Sequence, residues 1–163
     1  KLDFVGLVGI ADRIREDSRI FLNQIGGLGV SVKMLTGDAL PIARNIAQQI
    51  GLGDKITCMS NLEKIEDQRK ALDSTVEGSD VIAEVYPEDK FMIVKARQDR
   101  GHIVGMTGDG VNDAPALAQA EVGIAVKNAT EIAKDSASAV LTIEGLRGII
   151  GMIKASRTIY QRI

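Results

Sequence analysis

Residues 106–117 read Met-Thr-Gly-Asp-Gly-Val-Asn-Asp-Ala-Pro-Ala-Leu, and they place two carboxylates and a carboxamide in a glycine-rich turn. The apolar stretch from His102 to Met106 predicts a buried strand before this turn, and Pro115 with the Ala/Leu run after it predicts a helix start. The polar groups therefore lie between the carboxyl end of a strand and the amino end of a helix. Because open α/β sheets bind ligands at this edge, we expect a functional site there.

Three side chains of this turn, Asp109, Asn112 and Asp113, are candidate ligands. Hard carboxylate oxygens at a phosphate-binding edge favour Mg²⁺ over softer ions, and carboxylates alone would repel a phosphate, so a metal ion is implied. We expect Gly108 and Gly110 to supply positive φ angles and close backbone approach. An ordinary turn is the alternative, since Gly, Asp and Asn are common turn residues, but it does not account for the second acidic residue at a helix start.

Composition excludes several classes of function. The sequence has 163 residues, 45% of them hydrophobic, which is enough for one domain with a sizeable core. A net charge of −2, with three Phe, two Tyr and no Trp, gives no indication of nucleic-acid binding. The single cysteine, Cys58, excludes an internal disulfide, and one histidine excludes a Cys/His zinc site. We find no membrane-spanning apolar run and no signal-peptide pattern in the sequence.

Apolar strand-like runs alternate with helical periods along the chain. The predicted strands are Phe4–Ile10, Val30–Leu35, Val81–Val85, Ile103–Met106, Val122–Val126 and Ala139–Leu141. The predicted helices are Ile14–Leu28, Pro41–Ile50, Asp89–Arg100, Ala114–Ala120 and Glu131–Ser136. Residues 54–79 are charged and irregular, and we interpret them as a surface excursion with a short helix near Leu62–Leu72. The repeated strand–helix–strand units predict an α/β fold with a doubly wound, mostly parallel, Rossmann-like sheet.

Two further motifs follow other predicted strands. Thr36-Gly37-Asp38 comes directly after Val30–Leu35, and a Thr hydroxyl with backbone N–H groups at a helix N-terminus can hold phosphate oxygens. Taken alone, this motif is also explained by Asp38 capping the next helix. Lys90 lies at a helix start, where the dipole disfavours a cation unless an anion is near; a solvated surface position is the alternative. Together with the Asp pair, these residues predict one phosphoryl-transfer site.

The chain resembles the phosphorylation domain of P-type cation-pumping ATPases, which belong to the haloacid-dehalogenase-like superfamily, over nearly its whole length. The strings that carry the resemblance are Thr36-Gly37-Asp38, Tyr86-Pro87-Glu88-Asp89-Lys90 and residues 106–117. The flanking strings most similar to the plasma-membrane proton-pump branch are Phe4–Leu7, Val122–Val126 and Ser156–Arg162. The resemblance implies ATP and Mg²⁺ as cofactors and an aspartyl-phosphate intermediate.

The resemblance also implies a role for each matching residue in the site. Thr36 would hydrogen-bond the transferred phosphoryl group, and Lys90 would neutralise its charge. Asp109 would ligate Mg²⁺, Asp113 would support the metal, and Asn112 would contact the phosphoaspartate. These roles agree with the physics of phosphoryl transfer, in which protein and metal position the group and neutralise its oxygens.

Two other assignments come from the resemblance alone. Gly37 and Asp38 would lie near the ribose of ATP. Asp12 and Arg15 occupy the family's Asp-Pro-Pro-Arg segment, which reads Asp-Arg-Ile-Arg here. The charged ends of that segment are kept, whereas the two prolines that would make it rigid are missing.

The family's nucleophile is an Asp in an Asp-Lys-Thr-Gly-Thr string, which this sequence does not contain. We therefore expect an inactive fragment of a longer pump at the cytoplasmic face of a membrane. Its partners would be the missing phosphorylation-string segment, a nucleotide-binding domain and transmembrane helices. Residues 1–143 would be the C-terminal segment of the phosphorylation domain. Residues 144–163 would be an amphipathic stalk helix leading toward the membrane, or a capping helix in a free domain.

Two other functions remain open. A soluble haloacid-dehalogenase-like phosphatase would carry an Asp-x-Asp after its first strand, whereas Phe4–Ile10 leads into Ala11-Asp12-Arg13-Ile14. A non-catalytic module that binds Mg²⁺ and phosphate would describe what this chain does alone. The main interpretation is an ATP-driven cation pump, with protons as the expected cargo.

Overall fold

The structure is a computed structural model that describes residues 2–9, 13–62 and 68–162, without the side chains of residues 68 and 69. Parallel strands form two three-stranded sheets flanked by helices. The first sheet has, in spatial order, β1 (Met34–Leu35), β3 (Val81–Ala83) and β2 (Ile56–Cys58); the second has β4 (Gly105–Gly108), β5 (Val122–Ala125) and β6 (Ala139–Val140). The helices are α1 (Ser18–Gly27), α2 (Leu40–Ile50), α3 (Gln68–Gly78), α4 (Pro87–Asp99), α5 (Ala114–Gln119), α6 (Glu131–Ser136) and α7 (Arg147–Tyr160).

This architecture confirms the predicted parallel α/β fold. The middle strands of the two sheets are the most buried: all three residues of β3 and three of the four residues of β5 are buried. Parallel strands covered by helices on both faces have this apolar character. The described strands form two sheets and not one continuous sheet. β1 pairs with β3, β4 pairs with β5, and the described residues show no pairing between β1 and β4.

The first predicted strand is wrong over its described part. Residues 4–9 have no regular secondary structure, and the side chains of Phe4, Val5, Leu7 and Val8 are exposed. Ile10 lies outside the described residues. An apolar run forms a strand only where a neighbouring strand accepts its backbone hydrogen bonds, and no such neighbour is found in the described part of the chain.

Residues 54–62 and 68–79, which are the described part of residues 54–79, contribute to the fold core, so their interpretation as a surface excursion is wrong. They supply β2 and α3, the strand and helix that cover one side of β3. Five of their described apolar side chains are buried, namely Cys58, Met59, Leu62, Ala71 and Val76. The described part of the predicted short helix is helical from Gln68, and α3 continues to Gly78, beyond the predicted end near Leu72; residues 63–67 are outside the described part. Charged residues between the apolar positions hid this contribution in the sequence.

The C-terminal helix α7 is anchored at its start only. Ile149 and Ile150 are buried in a cluster with Ile25, Ile124 and Leu141, whereas residues 154–162 are exposed. No described helix combines the length and apolar character needed to cross a membrane. The stalk assignment of residues 144–163 remains a prediction.

If residues 54–79 are core, shortening Val76 should destabilise the protein. Val76 is 1% exposed in the cluster that contains Ile82 and Ile93. We expect Val76→Ala to reduce the free energy of unfolding by about 2 kcal/mol through lost burial and the cavity left behind. Urea unfolding would measure the loss. The control is Val8→Ala, because Val8 is 88% exposed; equal losses in the two variants would contradict the assignment.

Candidate functional site

The carboxylate of Asp113 is the centre of the site. Its Oδ1 accepts a hydrogen bond from Lys90 Nζ at 2.6 Å, and its Oδ2 accepts the backbone N–H groups of Asp109 at 3.1 Å and Gly110 at 3.2 Å. The side chains of Lys90 and Asp113 are only 18% and 9% exposed. One buried carboxylate thus joins the start of α4 to the turn that follows β4.

Burial alone would raise the pKa of Asp113. The hydrogen bond from Lys90, together with those from the N–H groups of Gly110 and Asp109, outweighs burial and lowers the pKa below its usual value. Asp113 is therefore ionised at neutral pH, and it is the anion that the dipole argument requires beside Lys90. The sequence predicts that Lys90 either neutralises a phosphoryl group or lies at a solvated surface position; in the structure its side chain is only 18% exposed and contacts the Asp113 carboxylate.

Gly108 is required because the backbone of β4 passes close to Asp113. A Cβ at residue 108 would lie 2.7 Å from Asp113 Cγ, closer than side chains approach, whereas a Cβ at Gly110 would meet nothing nearer than 3.8 Å. The predicted close approach is thus confirmed for Gly108. The predicted positive φ angles are wrong for both glycines. The chain enters the short 3₁₀ turn Val111–Asp113 from extended backbone, with φ −107° at Gly110, so no left-handed residue is needed.

Asp109 offers a free carboxylate on a fixed backbone. Its carbonyl oxygen accepts the N–H of Thr130 at 2.8 Å, and its N–H is held by Asp113. Its side chain is exposed, as is that of Asn112. Among residues 2–9, 13–62 and 68–162, no hydrogen bond or ion pair to the Asp109 carboxylate is found. Asp109 is thus the side chain of this turn best placed to receive a cation.

The donor set fits Mg²⁺ better than a metal held by protein alone. The described residues contain no group of three or more His, Cys, Asp and Glu side chains that could hold a metal. Protein sites for Mg²⁺ commonly use one or two carboxylates and leave the other positions to phosphate oxygens and water. A free Asp109 beside an ionised Asp113 meets that requirement.

The turn Thr36-Gly37-Asp38 closes on itself and is anchored to the neighbouring strand end. Thr36 Oγ1 donates to Asp38 Oδ2 at 2.7 Å, and the Asp38 N–H donates back to Thr36 Oγ1 at 3.1 Å. The interpretation of Asp38 as a helix cap is wrong, because α2 is preceded by Ala39 and has no side-chain cap. The Thr36 carbonyl accepts the N–H of Val85 at 3.0 Å, just beyond β3.

The structure brings some of the sequence-predicted residues into direct contact and leaves others apart. Lys90 and Asp113 contact each other, and Asp113 contacts the backbone of Asp109. In the described part of the chain, no hydrogen bond joins Thr36-Gly37-Asp38 to the turn after β4. Arg15 lies elsewhere, in an exposed ion pair with Glu144 at 3.0 Å, and Asp12 is outside the described residues.

Sequence reasoning missed Glu84, which follows β3. Among the described residues, Glu84 is the one non-glycine residue with a positive φ angle, and this angle is 57°. Its residue type gives no signal for a left-handed conformation, which Asn, Asp and Gly favour. The position after a strand end, shared with Thr36 and Asp109, is the one feature of the sequence that could have drawn attention to it.

The chain is similar to known proteins over most of its length. A family model described as haloacid dehalogenase-like hydrolase matches residues 2–121, and a second model of the same description matches residues 93–153. A protein of Methanocaldococcus jannaschii named as a cation-transporting ATPase is 47% identical over 98% of the chain, and a Dictyostelium discoideum protein named as a plasma membrane ATPase is 44% identical over 98%. The chain spans 20% and 15% of these relatives.

A solved structure shows the same fold. The crystal structure of a zinc-transporting PIB-type ATPase in its E2.Pi state superposes with a TM-score of 0.71 and 30% sequence identity. The match covers 92% of this chain and 20% of that protein. The similarity therefore concerns one part of a much longer polypeptide.

A side chain at residue 108 should displace the Asp113 carboxylate. We expect Gly108→Ala to reduce the free energy of unfolding by about 2 kcal/mol or more, because the new Cβ overlaps a buried ion pair. Gly110→Ala is the control, since its Cβ meets only ordinary contacts, and it should change stability by less than about 1 kcal/mol. Thermal unfolding of both variants would test this, and equal effects would remove the steric argument.

The lowered pKa of Asp113 makes its stabilising effect depend on pH. Because the folded pKa lies below the unfolded one, the stabilisation is complete above about pH 4 and is lost as the pH falls through the folded pKa. We expect Asp113→Asn to lower the free energy of unfolding by about 3 kcal/mol at pH 7. This deficit relative to the wild type should shrink below pH 4. Urea unfolding between pH 7 and pH 3 would measure it, with Asp109→Asn as control. A deficit independent of pH would show that charge is not its cause.

Proposed function

The chain belongs to the haloacid dehalogenase-like hydrolase family, and on this premise we propose that it is the C-terminal segment of the phosphorylation domain of an ATP-driven cation pump. The observation that carries the proposal is the Asp113 network, which fixes Lys90 and leaves the Asp109 carboxylate free at the end of β4. The similarity to two proteins named as ATPases, at 47% and 44% identity, supports it.

We assign the chemistry of the site to residues at the strand ends. When bound by Asp109, with Asp113 in support, Mg²⁺ would neutralise negative charge on the phosphoryl oxygens. The Lys90 ammonium has three donors, of which Asp113 uses one, so it can also donate to a phosphoryl oxygen. Thr36 would exchange its bond to Asp38 for one to the phosphoryl group. Asn112, whose carboxamide is exposed, would contact the phosphoaspartate.

The nucleotide and the nucleophile would come to this edge from outside the chain. Gly37 and Asp38 would lie near the ribose of ATP. In the described part, β1 and β4 have a strand neighbour on one side only, so each offers unpaired backbone groups on the other. A phosphorylation-string segment of the parent protein could pair with these edges, which would bring its Asp beside Thr36 and Asp109. The chain alone, lacking that Asp, would hydrolyse no phosphate ester.

The rest of the parent protein follows from the same proposal. A nucleotide-binding domain and transmembrane helices would be its other partners, at the cytoplasmic face of a membrane. Residues 144–163 would be the stalk, since α7 is packed at its start and exposed beyond residue 153. Protons are the proposed cargo, because the flanking strings resemble the plasma-membrane proton-pump branch and one relative is named as a plasma membrane ATPase.

The proposal predicts that Asp109→Asn in the full-length protein abolishes Mg²⁺-dependent phosphoenzyme, because the neutral amide is a weak Mg²⁺ ligand.

Lys90→Ala should slow phosphoryl transfer by about 10²-fold, the usual loss when a preorganised charge is removed. Radiolabelled ATP with acid quenching would measure both, and Asp135→Asn, on an exposed position of α6, is the control.

Wild-type phosphoenzyme levels in Asp109→Asn would contradict the metal role. Melting temperatures should be measured together with the Lys90→Ala rates, because the ion pair with Asp113 also supports the fold.

A separate assay of the 163-residue chain with acetyl phosphate decides between pump and phosphatase. Hydrolysis by that chain, abolished by Asp12→Asn, would favour a self-contained phosphatase.

A further inference from the structure

Glu84 adopts a backbone conformation that its residue type disfavours. Its φ of 57° is in the left-handed region, where the Cβ of an L-residue is crowded by the backbone. Such residues persist only where surrounding contacts hold them, and they cluster at functional sites. Glu84 directly follows β3, the middle strand of the first sheet.

Three contacts tie Glu84 and its neighbour to the ends of the two flanking strands. The Glu84 N–H donates to the Asp38 carbonyl at 3.1 Å, and the Val85 N–H donates to the Thr36 carbonyl at 3.0 Å. On the other side, Ser60 Oγ donates to Glu84 Oε2 at 2.7 Å. Ser60 follows β2, so this one residue links the loops after β1, β2 and β3.

The left-handed residue Glu84 lies three positions before the first residue of α4. Two residues later, the Tyr86 N–H donates to Asp89 Oδ2 at 2.8 Å, and α4 begins at Pro87. Lys90 lies in the first turns of that helix and reaches Asp113. A change of backbone direction at residue 84 would therefore move the Thr36 turn and the Lys90 ammonium relative to each other.

We propose that Glu84 is a positioning residue that holds the Thr36-Gly37-Asp38 turn and the start of α4 in one fixed geometry. The carboxylate, held by Ser60, keeps residue 84 left-handed, and its backbone N–H then fixes Asp38. Its catalytic consequence rests on the proposed function, whereas the anchoring of the turn does not. Glycine would adopt the same φ freely, but without an acceptor for Ser60 it would not hold the turn.

The test compares Glu84 variants in the full-length protein. Glu84→Ala and Glu84→Gly both remove the acceptor, and we expect each to lower the phosphoenzyme formation rate about tenfold, since small misplacements of reacting groups are costly. Glu84→Gln keeps an acceptor oxygen for Ser60 and should restore the rate to within about twofold of wild type. Ser60→Ala should slow the reaction and add no further loss to Glu84→Ala, because Glu84→Ala already removes the acceptor of the Ser60 hydroxyl.

The control for a merely structural effect is Val76→Ala. It should lower the melting temperature without changing the formation rate measured well below that temperature. If Glu84→Ala lowers only the melting temperature, as Val76→Ala does, or if Glu84→Gln is as slow as Glu84→Ala, the positioning role is overturned. Rescue by Glu84→Gln supports it, because a general loss of stability would not select for the acceptor oxygen.

Hydrogen–deuterium exchange separates this proposal from the proposed function. Exchange of peptides covering residues 33–40 should become faster in Glu84→Ala and stay near wild type in Glu84→Gln. This measurement needs no activity. If the wild-type protein formed no phosphoenzyme, the proposed function would fail, while the exchange rates would still decide whether Glu84 holds the turn. Unchanged exchange in Glu84→Ala would overturn the proposal.

Discussion

The ion pair between Lys90 and Asp113 is the interaction on which the arrangement of the site depends. A carboxylate that is 9% exposed would be costly without partners, and Lys90 with two backbone N–H groups supplies them. Because one donor is on α4 and the other two are in the turn after β4, satisfying this single charge fixes the two elements against each other. The position of the exposed Asp109 carboxylate is set by that fixed backbone.

The same contact places groups that are buried in the fold beside groups that are exposed. Lys90 cannot be removed without leaving a buried charge, and Gly108 cannot gain a Cβ without overlapping Asp113. In contrast, the Asp109 and Asn112 side chains are exposed and support little of the fold. The site therefore combines an inner part that holds the structure with an outer part that is free to meet a ligand. That division is expected where a rigid scaffold must position polar groups for charged chemistry.

Most of the fold could be predicted from periodicity, and the failures have physical reasons. Helix Glu131–Ser136 was predicted to the residue, and α2 and α4 within two residues, because their boundaries carry clear local signals such as Pro41 and Pro87. Phe4–Ile10 looked like a strand, yet a strand needs a neighbour that local sequence does not supply. Residues 54–79 looked like a surface loop because charged residues stand between their apolar positions. The burial of Val76, in contrast, comes from packing against β3 and α4.

The sequence by itself determined which segments after strands carry Thr36, Lys90, Asp109 and Asp113, and from these residue types it predicts a site for phosphate and a hard cation. Tertiary structure alone decided which of them touch. Lys90 and Asp113 are 23 positions apart, and their contact exists because α4 packs on α5. Likewise, the left-handed Glu84 is held by Asp38 and Ser60 from two other strand ends. Residue types and local spacing can be read directly from the sequence, whereas contacts between distant segments depend on how helices and strands pack.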